Sequence, residues 1–161
     1  MFFLRQASKV FQAHGHARSK PTKTFELTIF SRMEELKDVE HFIEQVVKEC
    51  GFDNEQAYWF ELTVMESMIN AIQHGNQLDA SKRVQLRIRF SGDSVDIEVD
   101  DQGGGFILDK CVEKTCEQNL FKASGRGIPI ICSIMDDVSV SQREDGGSRL
   151  KMTKRLTPAA T

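Results

Sequence analysis

The stretch Met65–Gly75, MESMINAIQHG, places three polar side chains in an otherwise apolar segment. Glu66, Asn70 and His74 follow one another at intervals of four residues. Because residues four apart stack on one face of a helix, these side chains would share one face. An acid, an amide and an imidazole there cost helix propensity and burial free energy unless something binds to them. The stretch therefore predicts a helix with a binding stripe along one edge.

A strand and a first helix are predicted before this stretch. In TFELTIF, residues 24–30, alternate positions are apolar, which is typical of a strand with one buried face. The capping box Ser31-x-x-Glu34 then predicts the start of a helix that runs to about Cys50. Gly51 is typical of the residue that ends such a helix.

The second predicted helix carries the polar stripe. Asp53 or Asn54 can cap its first turn, and the helix would continue to Gly75. Its apolar residues follow a helical period, with the polar stripe beside them where core meets cleft. The residues predicted to form that core stripe are Tyr58, Leu62, Met65, Ile69 and Ile72.

Two hairpins complete the predicted fold. RVQLRIRF and SVDIEVD alternate in polarity and are joined by SGDS, and DVSVSQR and SRLKMTKRL are joined by EDGG. A glycine cluster, a polar stretch and a short helix, GIPIICSIM, separate the two hairpins. This order predicts an α+β fold, a two-layer sandwich in which a mixed, mostly antiparallel sheet carries helices on one face.

Composition and charge limit the possible functions. The chain has 161 residues, 40% hydrophobic and 28% charged, which is typical of one globular domain. Its formal net charge of −3 argues against a nucleic-acid partner, because such domains usually carry a basic excess. No apolar run is long enough to span a bilayer, so no membrane association is expected. The four cysteines form no C-x-x-C pair and are interpreted as reduced thiols of a cytoplasmic protein.

The predicted domain covers residues 24–156, and the segments on either side of it are not assigned to the fold. Residues 1–23 contain five basic residues and no acidic one, and are interpreted as a flexible basic leader. A targeting segment and a partner-binding arm are the alternatives for this leader. Residues 157–161 are predicted to be a short tail.

Two glycine-rich segments predict a site for an anionic ligand. DDQGGGF, residues 100–106, directly follows a strand, and SGRGI, residues 124–128, directly precedes a helix. Glycine lets main-chain N–H groups approach a ligand closely, and a helix N-terminus favours negative charge, so phosphate is the expected ligand. The chain contains neither the Gly-Lys pair of a Walker loop nor a complete G-x-G-x-x-G motif.

The order of these motifs resembles that of the GHKL ATPases, which have the Bergerat, or histidine-kinase-like, fold. Within them the chain is most similar to the small bacterial anti-sigma-factor serine/threonine kinases. ELTVMESMINAIQHG matches their asparagine box, VDDQGGGF their first glycine box and GRGIPIICSIMDDVSV their second. GGSRLKM matches the final hairpin, and the resemblance covers about residues 24–155.

The resemblance implies roles along the asparagine box and the first glycine box. Asn70 would ligate a magnesium ion that bridges the nucleotide phosphates, and Glu66 would be the general base. His74 would close the site beside the phosphates. The alternative, weighted equally, is that His74 is only a hydrogen-bonded residue at the helix end. Asp101 would accept a hydrogen bond from the adenine amino group, whereas Asp100 would face the other side of the strand. The resemblance implies that Gly103 and Gly105 let the chain turn around the base. Ser148 stands where the family has a threonine that supports the aspartate, and it keeps the hydroxyl.

The second glycine box is implied to hold the phosphates. Main-chain N–H groups of Gly125, Arg126, Gly127 and Ile128 would face them. Either Lys122 or Arg126 would neutralise the γ-phosphate, and the sequence does not choose between them. The segment 107–123 would be an ATP lid that orders when nucleotide binds.

The function implied is that of an anti-sigma-factor kinase. Such a protein binds Mg²⁺ and ATP, phosphorylates a serine on a STAS-type antagonist and sequesters a sigma factor, and it forms a homodimer. A non-catalytic ATP-binding module that only sequesters its partner is the alternative. A detached histidine-kinase domain is disfavoured, because the chain has no room for a phosphoacceptor helix.

Overall fold

A computed structural model describes residues 22–104 and 127–156 of the chain. Several expectations lie outside these residues: the leader up to residue 21, the lid at 107–123 and the tail at 157–161. Gly105, Lys122, Gly125 and Arg126 lie outside them as well. The elements are β1 (Lys23–Phe30), a 3₁₀ turn (Met33–Glu35), α1 (Leu36–Cys50), α2 (Asn54–Asn70), a π-helical turn (Ala71–Gly75), β2 (Arg83–Phe90), β3 (Ser94–Asp100), α3 (Gly127–Ile134), β4 (Asp137–Gln142) and β5 (Ser148–Arg155).

The strands form one sheet in the order β1-β2-β3-β5-β4. Every neighbouring pair is antiparallel, and both predicted hairpins are present. Leu86 lies opposite Leu27 and Val99, and Ile97 lies opposite Ile88 and Met152, so apolar residues cover one face across the sheet. The predicted, mostly antiparallel sheet is therefore confirmed.

The hydrophobic core lies between that apolar face and the helices. Strand residues such as Ile88 and Ile97 are fully buried against helix residues such as Val39 and Met68. The opposite face of the sheet is charged: Glu98 lies 3.2 Å from both Arg87 and Arg89 and 3.4 Å from Lys151. The two faces differ in polarity, as expected for a two-layer α+β sandwich with helices on one side.

The predicted capping box at the start of the first helix is wrong. Ser31 is completely buried, and no described residue hydrogen-bonds its hydroxyl. Its main-chain N–H instead donates to the carbonyl of Lys82, 3.0 Å away, which extends the edge of the sheet by one residue. The chain then forms a 3₁₀ turn, and α1 begins only at Leu36. A tertiary hydrogen bond has therefore displaced a locally plausible cap.

Two other predicted helix ends, at Gly51 and Asp53, are confirmed. Gly51 has a φ of 69° and ends α1 in the left-handed conformation, where glycine has no steric penalty. Of the two candidate caps for α2, Asp53 is used: it accepts from the N–H of Gln56 at 2.8 Å. The side chain of Gln56 in turn accepts from the N–H of Asp53 at 3.1 Å, which completes a capping box.

The predicted core stripe of α2 is wrong at most of its positions. Tyr58 is 69% exposed, and Leu62, Met65 and Ile69 are only half-buried; of the predicted stripe, Ile72 alone is fully buried. The face that packs on the sheet is offset from the predicted one and includes two small polar residues. Its buried residues are Phe60, Thr63, Val64, Ser67, Met68, Ala71 and Ile72.

Two further expectations concern the membrane and the cysteines. Within the described ranges, none of the helices is both long and apolar enough to cross a bilayer. Of the two cysteines that the structure describes, Cys50 and Cys132, Cys50 is a free thiol. Burial raises the pKa of Cys50 to about 12, so this thiol stays protonated at neutral pH.

Candidate functional site

A cavity opens where the ends of α2, β3 and β5 meet α3. Its empty volume is about 440 Å³, part of it open to solvent. Asn70, Asp101, Ile128 and Ser148, all singled out from the sequence, line it. The rest of the wall is small or apolar and consists of Ser67, Ala71, Gly75, Val99, Val140 and Leu150.

The carboxylate of Asp101 is fixed at the cavity by main-chain groups. Its Oδ1 accepts hydrogen bonds from the N–H of Gly103 at 2.8 Å and the N–H of Ser148 at 3.2 Å. The N–H of Asp101 donates to the carbonyl of Ser148 at 3.0 Å, and the residue is only 6% exposed. None of the described residues donates to Oδ2. The arrangement therefore presents one acceptor oxygen in a fixed place, which suits recognition of an N–H donor on a ligand.

Three glycines allow the chain to approach Asp101 closely. A Cβ on Gly75 would lie 2.5 Å from Oδ2 of Asp101, and one on Gly147 would lie 2.0 Å from its carbonyl oxygen. A Cβ on Gly103 would lie 1.8 Å from the carbonyl oxygen of Gly75. A side chain at Gly75 or Gly103 would therefore push the Asp101 loop, residues 101–104, away from the π-helical turn, and one at Gly147 would push it away from the β4–β5 hairpin. Gly103 was expected to let the chain turn around a base, and its observed contact is with Gly75.

Asp100 points to the opposite face of the sheet, as expected. Its carboxylate accepts two hydrogen bonds from Arg149, at 2.7 and 2.6 Å, and lies 3.4 Å from Arg143. The bidentate pair raises the pKa of Arg149, chiefly through the hydrogen bonds to Asp100. Because Asp100 is occupied there, Asp101 is the carboxylate of this dipeptide that reaches the cavity.

Glu66 and Asn70 meet the start of α3 beside the cavity, which Asn70 lines and Glu66 does not. A Cβ on Gly127 would lie 2.6 Å from Oε2 of Glu66 and 3.0 Å from Nδ2 of Asn70. Nδ2 of Asn70 is buried, and nothing in the described part of the chain accepts its hydrogen bond. Because an unpaired buried amide costs free energy, it is typical of a group that awaits a ligand. The amide oxygen of Asn70 suits a magnesium ion, which prefers oxygen ligands, so these residues fit a metal–phosphate group.

His74 does not line the cavity. It is exposed in the π-helical turn that continues α2 from Ala71 to Gly75. This turn widens the helix by about one residue, so the four-residue spacing no longer places His74 directly below Asn70. The geometric reason given for including His74 in the stripe therefore does not hold, and its proposed place beside the phosphates stays a prediction.

Several cavity residues were missed by the sequence analysis. Val99 and Leu150 lie opposite each other on the inner face of β3 and β5, and the alternation of those strands marked them only as core residues. Ser67 lies one turn before Ala71 on α2, and its hydroxyl donates to the carbonyl of Thr63 at 2.7 Å. The small size of Ser67 and Ala71 was the available signal, because small residues on a buried helix face leave space.

Comparison with known families identifies the family. The family described as a histidine kinase-like ATPase domain matches residues 29–154. The chain belongs to this family. The resemblance that the order of the three boxes indicated is thereby confirmed.

Individual relatives agree with that assignment. An anti-sigma F factor from Clostridium perfringens is 32% identical over 96 residues, which make up 58% of this chain and 68% of that protein. The serine-protein kinase RsbW from Bacillus licheniformis is 29% identical over 119 residues, or 69% of this chain and 72% of that one. An anti-sigma F factor from Oceanobacillus iheyensis is 31% identical over 101 residues, 61% of this chain and 68% of that protein.

A solved structure supports the fold. The RsbU and RsbW domains of a Mycobacterium tuberculosis protein superpose with a TM-score of 0.60 over 87% of this chain. The identity is 19%, so this likeness concerns the fold alone, and the match spans 34% of that longer chain. The predicted histidine-kinase-like fold is confirmed.

Proposed function

We propose that this protein is a serine/threonine protein kinase that regulates a sigma factor by switching between partners. It binds ATP with Mg²⁺, transfers the γ-phosphate to a serine of a STAS-type antagonist, and sequesters a sigma factor in the alternative complex. The observation that carries this proposal is the convergence of Glu66 and Asn70 with Gly127 beside the cavity that holds Asp101.

The Asp101 end of the cavity suits a purine base. The apolar walls formed by Val99, Ile128 and Leu150 accept a flat ring, and the fixed Oδ2 of Asp101 accepts a hydrogen bond from its amino group. A guanine would present a carbonyl oxygen at that place and meet a second acceptor. The site therefore favours adenine nucleotides.

The other end of the cavity suits the phosphates. Asn70 Oδ1 would ligate Mg²⁺, and the bound ion would supply positive charge against the phosphate oxygens. α3 begins at Gly127, which has no side chain where it approaches Glu66 and Asn70. The main chain at the start of this helix would therefore be open to the ligand. Main-chain contacts from Gly125 to Ile128, and a cation from Lys122 or Arg126, remain part of the proposal.

Glu66 is the proposed general base. Its carboxylate lies next to Gly127 and one turn before Asn70, so it faces the same space as the metal ligand. There it would accept the proton of the attacking serine hydroxyl while Asn70 keeps the phosphates in place. Phosphoryl transfer depends mainly on such positioning and charge neutralisation.

The partners are proposed from the names of the relatives. Proteins called anti-sigma F factor and serine-protein kinase RsbW imply a sigma factor and an antagonist for this chain too. A homodimer and a cytoplasmic site of action are proposed from the sequence resemblance alone.

A phosphotransfer assay tests the proposal. Purified protein is incubated with γ-labelled ATP, Mg²⁺ and the STAS-type antagonist from the same genome, and label on the antagonist serine is measured. We expect transfer by the wild type and a loss of about 100-fold or more in Glu66→Gln, with ATP affinity within a few-fold. Glu61→Gln is the matched control, because Glu61 is an exposed acid on the same helix.

Two results would contradict parts of the proposal. Normal transfer by Glu66→Gln would show that Glu66 is not the base. A wild type that binds ATP but labels nothing would favour a module that acts by sequestration only.

A further inference from the structure

Asn76 joins three segments of the chain directly behind the cavity. The residue is completely buried, although it lies just beyond the end of the π-helical turn. Its Nδ2 donates to the carbonyl oxygen of Arg83 at 3.0 Å, at the start of β2. Its Oδ1 accepts from the N–H of Gln102 at 2.8 Å, just after β3. One side chain thus connects the end of the helical segment to two strands.

The side chain of Gln102 completes this connection. Its Oε1 accepts from the N–H of Arg83 at 2.7 Å, so both main-chain groups of Arg83 are bonded to the pair formed by Asn76 and Gln102. Because the Asn76 side chain donates once and accepts once, an aspartate could make only one of its two bonds and an alanine neither. The arrangement therefore specifies asparagine.

Asn76 and Gln102 are the chain neighbours of residues that form the cavity. Asn76 follows Gly75, whose Cα faces the Asp101 carboxylate so closely that a Cβ would lie 2.5 Å from Oδ2. Gln102 follows Asp101 itself and precedes Gly103, which abuts the Gly75 carbonyl. The bond from Gln102 to Asn76 therefore sets the distance between the π-helical turn that ends at Gly75 and the Asp101 loop.

The main chain beyond Asn76 adopts an unusual conformation. Gln77 and Leu78 have φ values of 55° and 59°, in the left-handed region that non-glycine residues seldom occupy. The N–H of Leu78 donates to the carbonyl of Ile72 at 2.8 Å, and the N–H of Asn76 donates to that of Ala71 at 2.8 Å. Such a conformation persists only where surrounding bonds fix it, which indicates that the position of Asn76 is tightly determined.

We propose that Asn76 is a positioning residue for nucleotide selection. It holds the Asp101 loop against the π-helical turn, so that Oδ2 of Asp101 is placed to accept a hydrogen bond from the amino group of adenine. Asn76 itself touches no ligand in this arrangement. The inference rests on the proposed function, because it assumes a nucleotide whose base reaches Asp101.

ITP provides a probe that separates positioning from general stability. Its base carries a carbonyl oxygen in place of the amino group, so ITP gains no hydrogen bond from a correctly placed Asp101 and meets a second acceptor there. Displacing Asp101 should therefore weaken ATP and leave ITP binding unchanged or slightly tighter. A merely structural loss would weaken both nucleotides by the same factor.

The experiment is calorimetric titration of the full chain with ATP and with ITP, each with Mg²⁺. In Asn76→Ala we expect the ratio of ATP to ITP affinity to fall about tenfold, the lower end of the effect of losing one buried hydrogen bond to a charged group. Asn76→Asp, which is close to the native side chain in size, should also lower the ratio. Val46→Ala is the control, because it weakens the core of α1 away from the cavity and should leave the ratio unchanged.

The wild type gives an independent measurement should the variants fail to fold. Amide hydrogen exchange at Gln102 should be as slow as at the paired residues of β3, because its N–H is held by Asn76. Rapid exchange at this amide would overturn the proposal. So would folded Asn76 variants that keep the wild-type ratio, or that lose both nucleotides equally. A wild type that binds neither nucleotide would instead overturn the proposed function, and this inference with it.

Discussion

Asp101 and Ser148 exchange two hydrogen bonds at the end of the sheet. The N–H of Asp101 donates to the Ser148 carbonyl at 3.0 Å, and the N–H of Ser148 donates to the Asp101 carboxylate at 3.2 Å. The support that the sequence resemblance assigned to a hydroxyl is thus provided at least partly by a main-chain group. Because every residue but proline has that N–H, replacement of the family's threonine by serine leaves this contact intact.

Asp101→Asn should reduce ATP affinity by about 10- to 100-fold. The amide oxygen can still accept from Gly103 and Ser148, but the cavity then presents an NH₂ group to the amino group of adenine. Loss of a hydrogen bond to a charged acceptor costs about 1.5–3 kcal/mol, which corresponds to that range. Calorimetric titration with ATP measures it, and circular dichroism checks the fold.

Asp96→Asn is the matched control for that variant. Asp96 lies on β3, which ends one residue before Asp101, but on the charged face, where it accepts from the Thr153 hydroxyl at 2.8 Å. An equal loss of affinity in Asp96→Asn would mean that the effect is not local to the cavity.

Gly127→Ala should disable transfer without unfolding the protein. The new Cβ would lie 2.6 Å from Oε2 of Glu66 and 3.0 Å from Nδ2 of Asn70, so both side chains must move. A displacement of about 1 Å at reacting groups can cost about 100-fold in rate. Alanine favours the helix by roughly 1 kcal/mol over glycine, which opposes the cost of moving these two side chains. The thermal midpoint should therefore change little. The phosphotransfer assay and a thermal melt together measure this.

Gly104→Ala is the control for this substitution. A Cβ at Gly104 meets nothing within 4 Å, so activity should be retained. Full activity in Gly127→Ala would contradict the placement of Glu66 and Asn70 against α3.

Elements with a strong local signal were predicted from the sequence. The alternation in β2 and β3 identified residues that proved to be buried, such as Leu86 and Ile97. Gly51 and Asp53 were recognised as helix ends because their chemistry acts within one turn. Such features need no knowledge of distant parts of the chain.

Features decided by tertiary contacts were missed. The apolar residues of α2 occupy more than one face, and only packing on the sheet selects the face that includes Phe60 and Met68. Ser31 has the sequence of a cap, but its pairing with Lys82 across the sheet edge takes precedence. For the site, motif order indicated Asn70, Asp101 and Gly127. Asn76 was missed because its two partners lie 7 and 26 residues away.

Phe60→Ala should destabilise the protein far more than Tyr58→Ala. Phe60 is fully buried, and its ring lies 5.3 Å from that of Phe52 and 6.0 Å from that of Trp59. Removing such a side chain costs about 3–5 kcal/mol in the free energy of unfolding. Tyr58 is 69% exposed, so its replacement should stay within about 0.5 kcal/mol. Urea unfolding of both variants measures the difference, and similar losses would show that α2 buries the face predicted from periodicity.

Asp136→Asn should lower stability at pH 7 and have little effect at pH 2. The N–H of Arg155 donates to the Asp136 carboxylate at 2.6 Å, and Lys154 lies 3.4 Å from it. The hydrogen bond from Arg155, followed by the positive charge of Lys154, lowers the pKa of Asp136 in the folded protein, against an opposing effect of burial. A lowered folded pKa adds stability above the unfolded value, near 3.9, which is lost as the pH falls through the folded pKa. Urea unfolding from pH 7 to pH 2 follows the contribution.

Asp137→Asn is the control for this pH dependence. Asp137 is the next residue, but its side chain is 68% exposed and lies 3.5 Å from the guanidinium of Arg155. An exposed pair of this kind contributes about 0–1 kcal/mol, so the Asp137 variant should follow the wild type closely across the pH range. The Asp136 side chain is itself 35% exposed, so solvent screening keeps its effect modest. A difference between Asp136→Asn and the wild type that stays constant down to pH 2 would mean that the carboxylate's charge is not its cause.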